Sequence, residues 1–143
     1  MPRASRHRFS LSRAVVLGFA AGLRTFTPLA ALAIRGRLGG GEAVRRGVPL
    51  LAAGEWIGDK SRKAPPRTSA APLVGRALSG AVVGTVVGAR RGGVIGALAA
   101  VAGSYAGQYG RAGLGRATGK PDAIFAVAED GLTAALSAVA LRR

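Results

Sequence analysis

Six ionisable side chains lie inside apolar stretches of a chain whose other charges sit mainly in basic connectors. Charged groups of both signs are costly in such surroundings, where they mark buried ion pairs, a solute path or a catalytic site. The acids could carry protons or a cation, while the arginines could bind an anion or hold the acids in register. The six residues are Arg24, Glu55, Asp59, Arg76, Glu129 and Asp130.

These charges are expected to meet between helices. Glu55 and Asp59 are four residues apart, so their carboxylates should share one helix face. Arg24 and Arg76 are the only basic residues that the sequence places to meet the acids. We therefore interpret the acids as one interdependent set assembled between helices.

Short polar side chains and one lysine accompany the charges. We expect Thr25 and Thr27 to satisfy backbone groups near Pro28, which should kink its helix. The predicted intramembrane polar site comprises ten residues, which are Arg24, Thr25, Thr27, Glu55, Asp59, Lys60, Arg76, Ser79, Glu129 and Asp130.

The residue inventory excludes several kinds of chemistry. The sequence contains no cysteine, and its one histidine, His7, lies in a basic N-terminal arm. Disulfides, thiol nucleophiles and cysteine-ligated metals are therefore excluded. A single histidine in such an arm supports neither a metal cluster nor a Ser-His-Asp triad. The sequence predicts no metal site, no cofactor and no catalytic residue, and it leaves enzymatic activity uncertain.

The composition favours a membrane protein over a soluble domain. The 143 residues are 49% hydrophobic but only 5% aromatic, and 23 of them are glycine. Small residues throughout apolar stretches suit closely packed membrane helices. The net charge of +15 is concentrated between the apolar stretches, as in contacts with anionic lipid headgroups. A nucleic-acid module would more often place basic residues along one face, so no nucleic-acid partner is expected.

A basic arm at residues 1–12 precedes a single predicted transmembrane helical domain at 13–143. The first apolar segment, 14–34, is long enough to span a bilayer, provided that Arg24 finds a partner or a wet cavity. A cleavable signal peptide is the rival interpretation of this segment. The next segment, 47–58, is too short to cross alone. It is predicted to be re-entrant or half-length, or to extend into its charged flanks.

Three further apolar segments complete the predicted domain. Segments 73–89 and 93–109 are expected to form a hairpin turning at the Arg-Arg-Gly-Gly sequence of residues 90–93, with one long helix as the alternative. Segment 122–141 begins after Pro121, a natural first-turn residue. Its two central acids should prevent insertion unless one is protonated or partners compensate them.

Glycine recurs at every fourth residue through the middle of the chain. In an isolated soluble helix each glycine would cost about 1 kcal/mol relative to alanine, whereas in a bilayer such a series lets helices approach closely. We predict a helix-packing role for these residues, which are Gly80, Gly84, Gly88, Gly92 and Gly96. The predicted fold is all-α, with about four spanning helices plus one short or re-entrant helix.

Read in order, the embedded residues resemble a known family. The series AGLRTFTP at 21–28, GEWIGDK at 54–60 with PPR at 65–67, GRALSG at 75–80 and AED at 128–130 is similar to small bacterial membrane proteins known as domain of unknown function 4126. The resemblance covers about Gly18 to Leu136. It implies a multi-pass protein of the bacterial cytoplasmic membrane without an established activity, so it supplies no catalytic residues.

The expected surroundings of the protein follow from its charge and size. Basic residues occur in every connector, so the positive-inside rule gives no orientation, which also fits a dual-topology dimer. The small size implies a homo-oligomer, most simply a dimer. The anionic headgroups of the bilayer are the predicted partners, and the solute, if there is one, is unknown.

Three functional hypotheses remain open from the sequence. The first is a transporter- or channel-like permeation protein built around the polar site. The alternative is a structural or scaffolding protein whose buried ion pairs only hold helices in register. The third is a membrane enzyme acting on lipid phosphates, with arginines binding phosphate and Glu129 or Asp130 as general base. Direct salt bridges without a cavity would favour the structural hypothesis, and a wet pocket lined by unpaired acids would favour transport.

Overall fold

The computed structural model describes residues 3–58, 66 and 68–142, which form five α-helices and no strand. The all-α prediction is confirmed for this part of the chain. Two of these helices, α4 and α5, are long and apolar enough to cross a membrane. In chain order the helices are α1 (Arg3–Leu23), α2 (Thr27–Ile34), α3 (Gly41–Gly58), α4 (Ala70–Thr118) and α5 (Asp122–Ala140).

Helix α4 is a hairpin of two helical arms. Its backbone leaves the helical conformation at Gly88 (φ −135°, ψ 17°) and Ala89 (φ 53°, ψ −154°). Gly84 then lies directly against Gly92 of the returning arm, so the two arms are antiparallel. The predicted turn at residues 90–93 therefore falls slightly earlier, because two small residues make the reversal and the arginines begin the second arm.

Helix α1 packs against the hairpin with glycine at each point of closest approach. A side chain at Gly18 would clash with the carbonyl oxygen of Gly96, and one at Gly22 would clash with that of Ala100; within the hairpin, a side chain at Gly80 would also clash with the carbonyl oxygen of Gly96. Backbones that approach this closely are typical of small-residue packing between membrane helices. The five glycines of the predicted series are all buried, and they are Gly80, Gly84, Gly88, Gly92 and Gly96.

The first apolar segment folds back on itself instead of running as one kinked span. Arg13 of α1 donates to the carbonyl oxygen of Arg142 (2.9 Å), and Arg35, just after α2, donates to that of Leu141. A continuous helix would separate Arg13 from Arg35 by about 33 Å, at 1.5 Å per residue. Segment 14–34 is therefore a reversing pair of helices, which corrects the prediction of a single span.

The proline of this segment starts a helix and does not kink one. Pro28 lies in the first turn of α2, where its missing N–H has no intrahelical partner to lose. The break falls before it, at residues 24–26, between the ends of α1 and α2. A helix rarely continues into the residue before proline, so the sequence terminates α1 close to this position.

Helix α3 is longer than the segment predicted at 47–58. It begins at Gly41, with Glu42 in its first turn and an ion pair from Glu42 to Arg46 at 2.6 Å. An acid in the first turn and an i,i+4 pair both stabilise a helix start. Of the alternatives predicted for 47–58, the helix therefore follows the one in which it extends into a charged flank.

A small apolar cluster joins the reversed segment to the rest of the bundle. Leu17 of α1, Leu32 of α2, Val83 of α4 and Leu141 after α5 are buried together. Because Leu17 and Leu32 meet in this cluster, the packing itself requires α2 to return alongside α1. The large side chains of the core are few, and glycine and alanine supply most of the remaining contact.

Replacing Gly96 with alanine is expected to destabilise the protein, because the new Cβ would clash with the carbonyl oxygen of Gly80. Overpacking of this kind costs roughly 1–3 kcal/mol. The matched control is Gly113→Ala in the same arm, where a Cβ meets nothing within 4 Å and where alanine favours the helix by up to about 1 kcal/mol. Thermal unfolding in detergent should shift in opposite directions, and equal midpoints for the two variants would contradict the packing.

Candidate functional site

The break between α1 and α2 exposes backbone groups that neither helix can satisfy internally. The last carbonyls of one helix and the first N–H groups of the next lack intrahelical partners. Residues 24–26 lie buried or half-buried in the bundle, where an unpaired backbone group costs about 1–3 kcal/mol. Side chains from α3 and α4 supply the missing partners.

Arg76 of α4 caps the carboxyl end of α1. Its Nη1 atom donates to the carbonyl oxygens of Gly22 (2.6 Å) and Leu23 (2.7 Å). The residue is 5% exposed, so water contributes little to capping these carbonyls. The carboxyl end of a helix carries partial negative charge, which favours a cation at this position. The predicted site residue therefore acts on backbone as well as on acids.

Two serine hydroxyls of α4 complete the donors around the break. Ser79 donates to the carbonyl oxygen of Thr25 (2.6 Å). Ser104 donates to that of Gly22 (3.2 Å) and to that of Ala100 in its own helix (2.9 Å). Ser79 belongs to the predicted site, whereas Ser104 was not predicted. The four-residue spacing that links Ser104 to the glycine series was the signal that could have found it.

Glu55 of α3 caps the amino end of α2. Its Oε1 atom accepts the N–H of Thr25 (2.7 Å), and its Oε2 atom accepts the N–H of Phe26 (2.8 Å). Partial positive charge at a helix amino end favours a carboxylate there. The same Oε1 atom lies 3.7 Å from Nη2 of Arg76. One ion pair therefore spans the break, with each partner capping the helix end of opposite charge.

Arg24 lies within the break and reaches the last helix. Its Nη2 atom is 2.5 Å from Oδ1 of Asp130, and the two side chains are 0% and 7% exposed. Breaking a buried pair by removing one partner leaves an uncompensated charge, which is strongly destabilising. The charge of Asp130 is therefore compensated by Arg24, as the central acids of an apolar helix require.

Glu129 contacts an arginine outside the predicted site. Nη1 of Arg111 lies 3.4 Å from Oε2 of Glu129, and Arg111 also pairs with Asp122 at the start of α5. The expectation that only Arg24 and Arg76 meet the acids is wrong, because α4 continues past residue 109 to Thr118. A signal for this extension was Gly119, which ends α4 with φ 65° as a left-handed glycine commonly does.

The remaining predicted residues fall in different places. The hydroxyl of Thr27 accepts a hydrogen bond from Nε1 of Trp56 (2.9 Å), and Thr25 contributes its backbone to the caps described above. Trp56 is therefore a further residue of the site. Asp59 and Lys60 lie outside the described residues.

The arrangement is a set of direct contacts and not a row of acids facing a common space. Three buried or largely buried arginine–acid pairs link α3, α4, α5 and the break between α1 and α2. Arg111 and Glu129, which form one of these pairs, line a cleft of about 270 Å³ between α1, α4 and α5. Within the described residues no group of three or more His, Asp or Glu side chains could hold a metal ion.

Comparison with other proteins adds no assignment to this geometry. No family model matches the chain, and no curated protein or solved structure matches it significantly. Membership of the family known as domain of unknown function 4126 therefore stays a prediction from the motifs. The candidate site rests on its own contacts.

Removing one partner of the Arg24–Asp130 pair should be more damaging than removing both. Asp130→Leu leaves a guanidinium that is fully buried, at an expected cost of roughly 3–5 kcal/mol, whereas Asp130→Leu combined with Arg24→Met should recover most of it. The control is Arg46→Met, which breaks an exposed pair with Glu42 and should cost under about 1 kcal/mol. Denaturant titrations of the wild type, these variants and Arg24→Met alone test this order. Additive losses in the double variant would show that the pair is not coupled.

Replacing Glu55 with glutamine should loosen the helix break selectively. The two carboxylate oxygens of Glu55 accept the N–H groups of Thr25 and Phe26, one each. Glutamine has a single acceptor oxygen, so one of these N–H groups loses its partner, at a cost of roughly 1–3 kcal/mol. Amide hydrogen exchange across residues 24–30 should become about tenfold faster or more. Glu42→Gln changes an exposed acid of the same helix and should leave that exchange unaltered. Unchanged exchange in Glu55→Gln would remove the capping role.

Proposed function

We propose that the chain is a small integral membrane protein of structural or scaffolding type, in which buried ion pairs hold a reversing helical segment inside a bundle. The observation that carries the proposal is that Glu55, Glu129 and Asp130 each contact an arginine from a different segment of the bundle. A carboxylate held in a largely buried ion pair is poorly placed to take up and release a solute. The same contacts are what a permanent register lock requires.

The distribution of side chains supports the membrane part of this proposal. Several charged and hydroxyl residues are buried in the interior, while many large apolar side chains face outward. Leu50, Ile57, Leu78, Val94 and Leu98 are each more than half exposed. Monomeric soluble proteins rarely expose apolar surface on this scale, whereas a bilayer would cover it.

The path of the chain suggests how it crosses the bilayer. The first arm of α4, residues 70–87, is about 27 Å long at 1.5 Å per residue, close to the hydrocarbon thickness of about 30 Å. We infer that α3, the two arms of α4, and α5 make four crossings, and that α1–α2 enters and leaves on one side. Non-helical backbone at membrane depth is tolerated where protein buries it, as at residues 24–26.

Permeation is the second candidate, because reversing half-helices are also how secondary transporters build solute sites. The observation in its favour is the cleft lined by Arg111 and Glu129. A solute carrier would require that pair to open during the cycle, whereas the structural proposal requires every pair to stay closed. The two candidates therefore differ in what happens when a pair is replaced by apolar residues.

In proteoliposomes the purified protein is expected to give no flux of protons or other ions above that of protein-free vesicles. The variant Arg111→Met with Glu129→Leu should accumulate in membranes to within about twofold of wild type, because buried pairs can be exchanged for apolar residues at little cost. The membrane abundance of Glu129→Leu alone should fall several-fold, since a destabilisation of about 1–2 kcal/mol lowers abundance by that factor.

Two outcomes would contradict the proposal in different ways. Solute flux that the double variant abolishes while it remains folded would favour permeation. Release of the wild-type protein from membranes by carbonate would show that it is not an integral membrane protein. Glu42→Gln, which changes an acid whose side chain is 57% exposed and which contacts none of these arginines, is the control for loss of an acid outside the bundle.

A further inference from the structure

Four arginines converge at one end of the bundle, and they are brought there by three separate parts of the chain. Arg13 belongs to α1, Arg35 and Arg37 follow α2, and Arg142 follows α5. Together with Leu141 they line a cleft of about 590 Å³. None of the described residues that line it is acidic. Like charges repel one another when they gather in this way, so the cluster is suited to an anion.

The arginines of this cluster are held in position by backbone contacts. Arg13 donates to the carbonyl oxygen of Arg142 (2.9 Å), and Arg35 donates to that of Leu141. The N–H of Arg37 donates to the carbonyl oxygen of Leu32 (2.9 Å), which orders the turn after α2. A guanidinium has five donors in a planar fork that matches a phosphate group. The contact with Leu141 therefore occupies only part of the donor capacity of Arg35.

An apolar cleft of about 400 Å³ adjoins the same cluster. It lies between α2, α3 and α5, and Arg35 lines both this cleft and the arginine cleft. Apolar side chains such as Ile34, Pro49 and Ala138 form most of its walls. Trp56 and Thr27 also line this cleft. Their polar atoms form a hydrogen bond with each other, so they do not require a polar ligand.

We infer that the two clefts form one binding site for an anionic phospholipid. The phosphate of the headgroup would bind the arginines, and one acyl chain would lie in the apolar cleft beyond Arg35. A free anion would explain the first cleft but not the second, and a neutral lipid would explain the second but not the first. Basic pockets between membrane helices bind acidic headgroups in this way. The inference rests on the proposed membrane location, but not on whether the ion pairs are structural.

The first test compares two lipids that share their acyl chains. Dioleoyl phosphatidylglycerol and dioleoyl phosphatidylcholine are added to the detergent-purified protein, and binding is followed by native mass spectrometry and by the thermal midpoint. The anionic lipid should bind at least about tenfold more tightly, since each arginine near an anionic group contributes roughly fivefold. Equal binding of the two lipids would overturn the inference.

The second test removes arginines and compares matched positions. Arg35→Gln with Arg37→Gln should reduce the preference for the anionic lipid about tenfold or more. Arg37→Gln alone should reduce it several-fold, and it leaves the Arg35 contact with Leu141 in place. The control, Arg90→Gln with Arg91→Gln, removes two exposed arginines at the turn of α4 and should keep the preference. An equal loss in the control would reduce the effect to overall charge and overturn the site.

The third test identifies the source of the phosphate. Inorganic phosphate and glycerol 3-phosphate should bind weakly, and Ala138→Phe, which places a large side chain at an exposed position of the apolar cleft, should weaken lipid binding. Tight binding of inorganic phosphate that Ala138→Phe leaves unchanged would replace the lipid by a free anion. If carbonate releases the protein from membranes, the proposed function fails. If the protein stays integral but shows no lipid preference, only this inference fails.

Discussion

The fold depends on how the backbone is satisfied where the chain reverses at residues 24–26. Two helix ends of opposite partial charge meet there inside the bundle. Arg76 faces the carbonyl end and Glu55 faces the amino end, and the two side chains also pair with each other. Neither cap would be stable alone, since each would bury a charge without its partner. The reversal and the ion pair are therefore parts of one arrangement.

Close glycine packing is what allows these caps to reach the break. A Cβ at Gly22 would clash with the backbone of Ala100, so a larger residue would push α1 away from α4. Ser104 and Arg76 both contact the carbonyl oxygen of Gly22, and these contacts would lengthen with the helices apart. Small residues thus serve the polar site as well as the packing, because they set the distance at which short side chains can donate.

Much of the fold and part of the candidate site could be predicted from the sequence, for different physical reasons. The all-helical fold follows from apolar segments of sufficient length, and the buried charges follow from the cost of placing Arg24 or Asp130 among apolar residues. The partners could not be predicted, because pairing depends on which helices adjoin. The reversal was missed because Pro28 suggests a kink as readily as a new helix start. Arg111 was missed because glycines near residue 110 resemble the end of a helix.

The reversal also explains why basic residues from distant parts of the chain share one cleft. With a straight first segment, Arg13 and Arg35 would lie at opposite ends of the bundle, separated by about 33 Å. Because the chain turns back, they meet beside Leu141 and Arg142. Repulsion between these arginines destabilises the same reversed segment that Glu55 and Arg76 stabilise at its break. An anionic headgroup at that end would offset the repulsion, so the buried caps and the proposed lipid site would stabilise the same reversed conformation from its two ends.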